Sequence, residues 1–192
     1  MAADASTAVW AVTPAGARIA MRISEKAGNT AVFVGRGIEV IPEGAVRFDR
    51  LADAVGRAFH AHGAHIFVMA TGIAVRMIAP HLESKRSDPA VVAVDDSGRF
   101  AVSLLSGHVG GANALAEMVA GCIGATPVIS TATDNAGRPA IDLIAEQYGL
   151  AMENPAAVKA VSMAFLTNQP VRRHDPYQIL DNALGDWTIS DD

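Results

Sequence analysis

The 192-residue chain is long enough for one ordinary domain, or for one domain with a smaller lobe beside it. Hydrophobic residues make up 51% of the sequence and charged residues 18%, a balance that supports a sizeable core and argues against global disorder. The net charge of -5 gives no general attraction to nucleic acid or to an anionic membrane, so an anionic ligand would need a local basic cluster.

The cysteine content and the N-terminus bear on the compartment. Cys122 is the single cysteine and cannot form a disulfide within the chain, which is typical of a reducing compartment. It lies in an apolar helical pattern and is interpreted as a small core residue. The first residues are acidic and no long apolar stretch follows them, so the sequence predicts neither a signal peptide nor a membrane span. We expect a cytoplasmic protein.

Short apolar runs alternate with amphipathic stretches in the first part of the chain. In order, the predicted elements are a strand at Val9–Val12, a helix starting at Thr13-Pro14, a strand at Thr30–Val34, a helix bearing Leu51, Val55 and Phe59, a strand at His65–Ala70, and a short helix bearing Val75 and Ile78.

The later elements begin with a predicted β-hairpin. They are the hairpin strands Ala90–Val94 and Arg99–Leu105, the glycine-rich turn Ser106–Gly111 leading into a helix, a strand at Pro127–Ser130, and a helix near Ala140–Tyr148. The alternation predicts an α/β fold with a mostly parallel sheet covered by helices, one antiparallel hairpin and a small C-terminal lobe. We predict an α/β domain over residues 1–150 and the lobe over 151–192.

Three loops follow predicted strands, at Thr71-Gly72-Ile73, at Ser106–Gly111 and at Thr131–Asn135. Ligands of open α/β sheets bind beyond the carboxyl ends of parallel strands. If the three strands run parallel, the loops share one edge of the sheet, and we expect one pocket there.

The turn Ser106–Gly111 is the most informative of the three loops. Its glycines permit close approach of a ligand, and a helix N-terminus favours an anion, but a purely structural tight turn is an equal interpretation. His108 in this turn is a candidate general base or a hydrogen-bonded loop residue. Asp134 could orient that base or form an Asx-turn, and Asn113 and Glu117 could face the same crevice. The turn has neither dinucleotide-fold nor P-loop spacing.

Other charged residues give weaker signals. Arg76, Lys85 and Arg86 lie in a basic segment that could bind a polycarboxylate or could be an ordinary solvated loop. His60, His62 and His65 have no cysteine pair to complete a zinc site, so we interpret them as solvated histidines at a helix terminus.

Several segments together resemble the cobalamin biosynthesis protein CbiG family. These segments are Thr71–Pro80, Lys85 with Asp88–Asp95, Ser103–Asn113 and Pro127–Asp134. Their order, spacing and identity agree across residues 65–150, and the flanking regions match more loosely. Family members usually carry a further C-terminal domain, which is absent from this sequence.

The resemblance implies a cobalt-precorrin-5A hydrolase. Such an enzyme opens a δ-lactone on a contracted cobalt-tetrapyrrole and releases acetaldehyde, giving cobalt-precorrin-5B. The cobalt arrives with the anionic substrate, so no cofactor or metal held by the protein is expected. Possible partners are a separate C-terminal domain or other corrin-pathway enzymes, with no nucleic acid and no membrane.

Lactone hydrolysis needs an activated water and a stabilised oxyanion, which assigns roles to the candidate residues. His108 is the predicted base, Asp134 would fix its tautomer, and the N–H groups around Gly110 and Gly111 would face the oxyanion. The predicted substrate-binding residues are Gly72, Arg76, Lys85, Arg86, Ser106, Gly107, Gly110, Gly111, Asn113 and Thr133. Two alternatives are a non-catalytic tetrapyrrole-binding or assembly module, whose chemistry needs another domain, and a nucleotide-binding α/β domain.

Overall fold

The computed structural model describes residues 7–39, 43–84, 87–108, 110–132, 136–184 and 187–190. The chain divides into two compact units, Met1–Ile129 and Ser130–Asp192. The sequence-based boundary at residue 150 lies within the second unit.

Seven strands form the sheet of the first unit. They are β1 (Thr7–Ala11), β2 (Thr30–Gly35), β3 (Val46–Phe48), β4 (Ala64–Val68), β5 (Ala90–Val94), β6 (Phe100–Leu105) and β7 (Thr126–Val128). Across the sheet they are ordered β3-β2-β1-β4-β5-β6-β7. The pairs among β1 to β5 are all parallel, and β1, β4 and β5 are almost wholly buried, as expected for parallel strands covered on both faces.

The direction of the chain reverses between β5 and β6. The two strands pair antiparallel, with Val94 opposite Ala101 and Val91 opposite Leu105, and β7 then runs parallel to β6. The carboxyl ends of β6 and β7 therefore lie at the edge of the sheet where β4 and β5 begin. The predicted α/β class, with a mostly parallel sheet and one antiparallel hairpin, is confirmed.

The carboxylate of Asp95 caps the connection between β5 and β6. Its Oδ1 accepts hydrogen bonds from the backbone N–H groups of Arg99 (2.9 Å) and Phe100 (2.8 Å), and its Oδ2 accepts from the N–H and hydroxyl of Ser97. Burial raises the pKa of the Asp95 carboxyl, but these hydrogen bonds outweigh burial and hold the pKa below its ordinary value. The hairpin connection is thus stabilised by hydrogen bonds to the Asp95 side chain.

Four helices cover the sheet of the first unit: α1 (Pro14–Ala27), α2 (Leu51–Ala58), α3 (Thr71–Ile78) and α4 (Ala112–Ile123). Helices α1 and α4 pack on one face through residues such as Ile23 and Val119, and α2 and α3 pack on the other through Val55 and Ile78. Thr13 caps α1 as predicted, because its Oγ1 accepts the Gly16 N–H at 2.9 Å.

His65 is a core residue of β4 and is fully buried. Trp10 Nε1 donates to His65 Nδ1 at 3.0 Å, so Nε2 carries the proton and donates to the Phe59 carbonyl at 3.0 Å. Burial lowers the pKa of His65 from 6.5 to about 4, since it penalises the charged imidazolium. The interpretation of this residue as a solvated histidine is wrong, because its strand is covered on both faces.

The second unit contains smaller elements. They are α5 (Ile141–Gln147), a 3₁₀ turn at Pro155–Ala157, α6 (Val158–Leu166), a two-stranded parallel pair of β8 (Arg172–Arg173) and β9 (Ile189–Ser190), and α7 (Asp181–Leu184). The guanidinium of Arg138 lies 4.6 Å from the ring centre of Trp187 and donates to Asn168 at 2.6 Å. Arg173 pairs with Asp181.

None of the helices described here combines the length and the apolar character that a membrane crossing requires.

We predict that His65 makes the unfolding free energy depend on pH. The unfolded chain binds a proton at His65 below pH 6.5, whereas the folded chain does not until about pH 4. The contribution of neutral His65 to the unfolding free energy is therefore complete above pH 6.5. It falls by about 3 kcal/mol as the pH drops towards 4. Denaturant titrations of the wild type and His65→Leu at pH 7.5 and 4.5 measure this contribution.

His65→Leu is less stable at pH 7.5, since Trp10 and Phe59 lose their partners. The gap between the two proteins should then narrow as the pH falls. An unchanged gap between wild type and His65→Leu at both pH values contradicts the prediction.

Candidate active site

The turn that joins β6 to α4 has a constrained backbone. Ser106 has a φ of 59°, a left-handed conformation that is uncommon for residues other than glycine, and Gly111 has a φ of 83° at the N-cap of α4. A Cβ placed on Gly110 would lie 2.3 Å from Ser106 Cβ and 2.7 Å from the Ser106 carbonyl oxygen. The turn therefore requires glycine at position 110, and strain of this kind is concentrated at functional sites.

Hydrogen bonds within the turn use the first N–H groups of α4. The N–H of Gly111 donates to His108 O at 2.7 Å, that of Ala112 to Ser106 O at 3.0 Å, and that of Asn113 to Gly107 O at 3.0 Å. The prediction that the Gly111 N–H faces an oxyanion is therefore wrong, because this donor is engaged inside the turn. The carbonyl of His108 takes part in these bonds, and its side chain is half-buried.

A polar pocket of about 320 Å³ lies next to this turn. Three connections line it: the segment before β4, the segment before β5, and the turn itself. The lining residues are His60, Ala61, His62, Gly63, Ser87, Asp88, Pro89, Ala90 and Gly110. The pocket thus lies where β4 and β5 begin and β6 ends, and the reversal of β6 is what brings the glycine-rich turn to it.

Asp88 makes hydrogen bonds to two of the segments around the pocket. The residue is only 7% exposed, and its Oδ1 accepts the backbone N–H groups of Glu83 (3.0 Å) and Ser84 (3.3 Å). Its backbone carbonyl accepts the Ser106 hydroxyl at 3.0 Å, which links the segment before β5 to the strained turn. The sequence analysis missed Asp88 as a site residue, although an aspartate directly before Pro89 and a buried strand is a visible signal.

Two histidines, His60 and His62, line the pocket. His60 is exposed, and its Nε2 lies 3.7 Å from Glu83 Oε1. His62 is half-buried and packs edge-on against Phe33, with 5.8 Å between the ring centres.

The predicted loop at Thr71 does not share this edge. It follows β4 at its carboxyl end, whereas the turn after β6 lies at the opposite edge because β6 runs antiparallel to β5. Gly72 and Arg76 are exposed on α3, which begins at the edge where β4 ends, away from the pocket. The prediction that the Thr71 and Ser106 loops form one edge is wrong for this reason.

The remaining predicted site residues fall into three groups. Asn113 is half-buried and accepts the Ser103 hydroxyl at 2.6 Å, and Glu117 is exposed on α4. β7 ends at the same edge as β6, and the Thr131 loop that follows belongs to the second unit. The predictions that lie outside the described residues are those for Lys85, Arg86, Thr133 and Asp134.

The opposite edge of the sheet offers a rival location. Ligands of doubly wound sheets bind where the strand order reverses, here between the carboxyl ends of β1 and β4. Thr13 Oγ1 and Asp96 Oδ1 lie 3.1 Å apart there, and Gly16 is packed against the Val68 carbonyl. The polar side chains of Thr13 and Asp96 are thus hydrogen-bonded to each other.

Among the residues that the structure describes, no group of three or more His, Cys, Asp or Glu side chains could hold a metal ion.

The fold and the site define a class: an α/β protein with a doubly wound sheet, a reversed β6 and a polar pocket beside a strained glycine-rich turn. Family models identify it further. Residues 53–134 match "Cobalamin synthesis G N-terminal" and residues 139–190 match "Cobalamin biosynthesis central region". The chain therefore contains the N-terminal and central regions of the CbiG family.

Curated relatives agree with the family models. The chain is 42% identical over 168 residues to the cobalt-precorrin-5A hydrolase of Salmonella typhimurium, covering 86% of this chain and 47% of the relative. It is 40% identical over 113 residues to the cobalt-precorrin-5A hydrolase of Priestia megaterium, covering 59% of this chain and 30% of the relative. The chain thus spans less than half the length of these relatives.

A crystal structure of a cobalamin biosynthesis protein G homologue from Sulfolobus solfataricus has a related fold. The TM-score is 0.51 at 22% sequence identity, and the match covers 88% of this chain and 48% of that one. This similarity supports the α/β architecture.

We predict that Gly110→Ala destabilises the protein, because the added Cβ would collide with Ser106. The expected loss in unfolding free energy is about 1–3 kcal/mol. Gly72→Ala is the matched control, since a Cβ at Gly72 would meet no atom within 4 Å and alanine favours the helix. Denaturant unfolding of both variants measures the effect. Equal stability of Gly110→Ala and the wild type would show that the turn relaxes freely.

Proposed function

We propose that this chain takes part in cobalamin biosynthesis by hydrolysing the δ-lactone of cobalt-precorrin-5A, with release of acetaldehyde. The observation that carries the proposal is the 42% identity over 168 residues to a protein named cobalt-precorrin-5A hydrolase. The polar pocket beside the Ser106–Gly111 turn supports it, because the turn belongs to the segments that resemble the family. We also propose a cytoplasmic location, which the single cysteine favours.

The proposed chemistry uses side chains of the chain itself. Water attacks the lactone carbonyl carbon, His108 takes one proton from the water, and the ring C–O bond breaks. The departing oxygen then receives the proton from His108, which yields an alcohol and a carboxylic acid that ionises in solution. Acetaldehyde leaves in a second step: the alcohol loses its O–H proton, the C–C bond between the alcohol carbon and the macrocycle breaks, and the macrocycle takes up a proton. Asp134 is proposed to orient the imidazole. Cobalt enters as part of the substrate, so it is bound as cargo rather than as a resident cofactor.

The substrate is an anion in a chain of net charge -5, so local positive charge has to guide it. Lys85 and Arg86 fall in the sequence between Ser84, which donates to Asp88, and Ser87, which lines the pocket. We propose that this basic segment binds peripheral carboxylates of the tetrapyrrole. Arg76 contributes less under this proposal, since α3 begins at the other edge of the sheet.

The function is tested by incubating the chain with cobalt-precorrin-5A under anaerobic conditions and measuring the acetaldehyde released. His108→Ala should slow acetaldehyde release by about 10²–10⁴-fold, because a general base acts in the transition state. Binding of the tetrapyrrole should change much less than turnover. His174→Ala, at an exposed histidine of the second unit, is the control and keeps full activity.

Full turnover by His108→Ala would remove His108 from the mechanism. Tight binding of the tetrapyrrole by the wild type without any acetaldehyde would favour a non-catalytic binding or assembly module, which depends on other parts of the longer relatives.

A second prediction concerns the basic segment. Replacement of Lys85 and Arg86 by Gln should weaken tetrapyrrole binding by up to about fivefold per residue at low salt, and by less at high salt because salt screens exposed charges. Arg18→Gln removes an exposed charge on α1 and should leave the affinity unchanged. Titrations at two ionic strengths measure the effect. An affinity that is insensitive both to these substitutions and to salt would assign the segment to ordinary solvated surface.

A further inference from the structure

We propose that Asp88 is a catalytic residue that holds the attacking water in the pocket beside the Ser106–Gly111 turn. This inference rests on the proposed lactone hydrolysis and adds a residue to it. The case depends on where the fold places the two carboxylate oxygens of Asp88.

The first oxygen fixes the orientation of the side chain. Asp88 Oδ1 accepts the N–H groups of Glu83 and Ser84, at 3.0 and 3.3 Å, so the carboxylate is held by the segment that precedes it. The Ser106 hydroxyl donates to the Asp88 carbonyl at 3.0 Å and holds its backbone from the other side. A side chain fixed by such supporting bonds is suited to a site that needs accurate positioning.

The second oxygen, Asp88 Oδ2, differs from the first in its hydrogen bonding. Asp88 Oδ2 accepts no hydrogen bond from the residues that the structure describes, although Asp88 as a whole is only 7% exposed. This oxygen is not one of the buried side-chain atoms that lack a partner, so water can reach it and donate to it. Because Asp88 lines the pocket, that donor can come from the pocket.

The surroundings of the pocket favour a water as this donor. Gly110, His60 and His62 line the same pocket, and His108 belongs to the turn that supplies Gly110. An attacking water carries two protons. In the proposed step His108 takes one, while the other remains in a hydrogen bond to Asp88 Oδ2 as the oxygen attacks the lactone carbonyl carbon. The retained proton leaves later with the new carboxylic acid, which ionises in solution.

A purely structural role is the competing account, in which Asp88 only caps the segment Glu83–Ser84. The substitution Asp88→Asn separates the two, because the amide oxygen of Asn can still accept both backbone N–H groups. What changes is the second position, where a donor NH₂ replaces the acceptor oxygen. Asp95→Asn is the matched control, since Asp95 caps a hairpin at the opposite edge of the sheet.

The experiment compares acetaldehyde release, tetrapyrrole binding and unfolding for the wild type, Asp88→Asn and Asp95→Asn. We expect Asp88→Asn to lower kcat by about 10²–10⁴-fold. Its KM and unfolding midpoint should stay close to those of the wild type, and Asp95→Asn should keep full turnover. If Asp88→Asn does not fold, Asp88→Ser takes its place, because serine is smaller than aspartate and also lacks the second carboxylate oxygen.

Two results would overturn the inference. Wild-type turnover by a folded Asp88→Asn or Asp88→Ser variant would reduce Asp88 to a cap while leaving the hydrolase function intact. Absence of acetaldehyde with the wild type itself would overturn the proposed function, and the role of Asp88 with it.

Discussion

The direction of β6 is the constraint on which the site depends. Because β6 runs antiparallel to β5, the chain leaves it at the edge where β4 and β5 begin, and the Ser106–Gly111 turn meets Asp88 there. Had β6 been parallel, the same turn would lie beside Thr71 at the other edge. The connection between the two strands sets this direction, because it is too short for a parallel crossover.

The site consequently departs from the usual rule for doubly wound sheets. That rule places ligands beyond the carboxyl ends of parallel strands at the point where the strand order reverses. In this chain the polar groups at that point, Thr13 and Asp96, are paired with each other. The pocket, the strained Ser106 and the buried Asp88 all lie at the other edge. Strain and buried charge cost free energy, and their coincidence at one place is what marks the site.

The sequence predicts the fold class well, because alternation of apolar runs with amphipathic stretches is a direct consequence of the layers that the chain forms. It also predicts the hairpin, since Asp95–Gly98 is too short for a parallel crossover. The placement of the loops failed because apolar patterning does not encode strand direction. The consequence of the short connection, that Ser106 must lie at the opposite edge from Thr71, was available in the sequence but has to be drawn from topology rather than from pattern.

The environment of a single residue is harder to predict from the sequence than the fold class. His60, His62 and His65 are neighbours in sequence, yet His60 is exposed and His65 is a neutral core residue bound to Trp10, a partner 55 positions away. The apolar strand pattern at His65–Ala70 separates His65 from the other two, but its bond to Trp10 depends on tertiary structure. Asp88 is similar, because its low exposure and the hydrogen bond from the Ser106 hydroxyl to its carbonyl both depend on tertiary structure.

Amide hydrogen exchange of the chain, with and without cobalt-precorrin-5A, tests the location of the site most directly. Our account predicts that the substrate slows exchange in residues 60–63, 83–90 and 106–113, and leaves 70–73 and 95–99 unchanged. Protection of 70–73 and 95–99, with none around 106–113, would place the ligand at the opposite edge of the sheet and contradict the account.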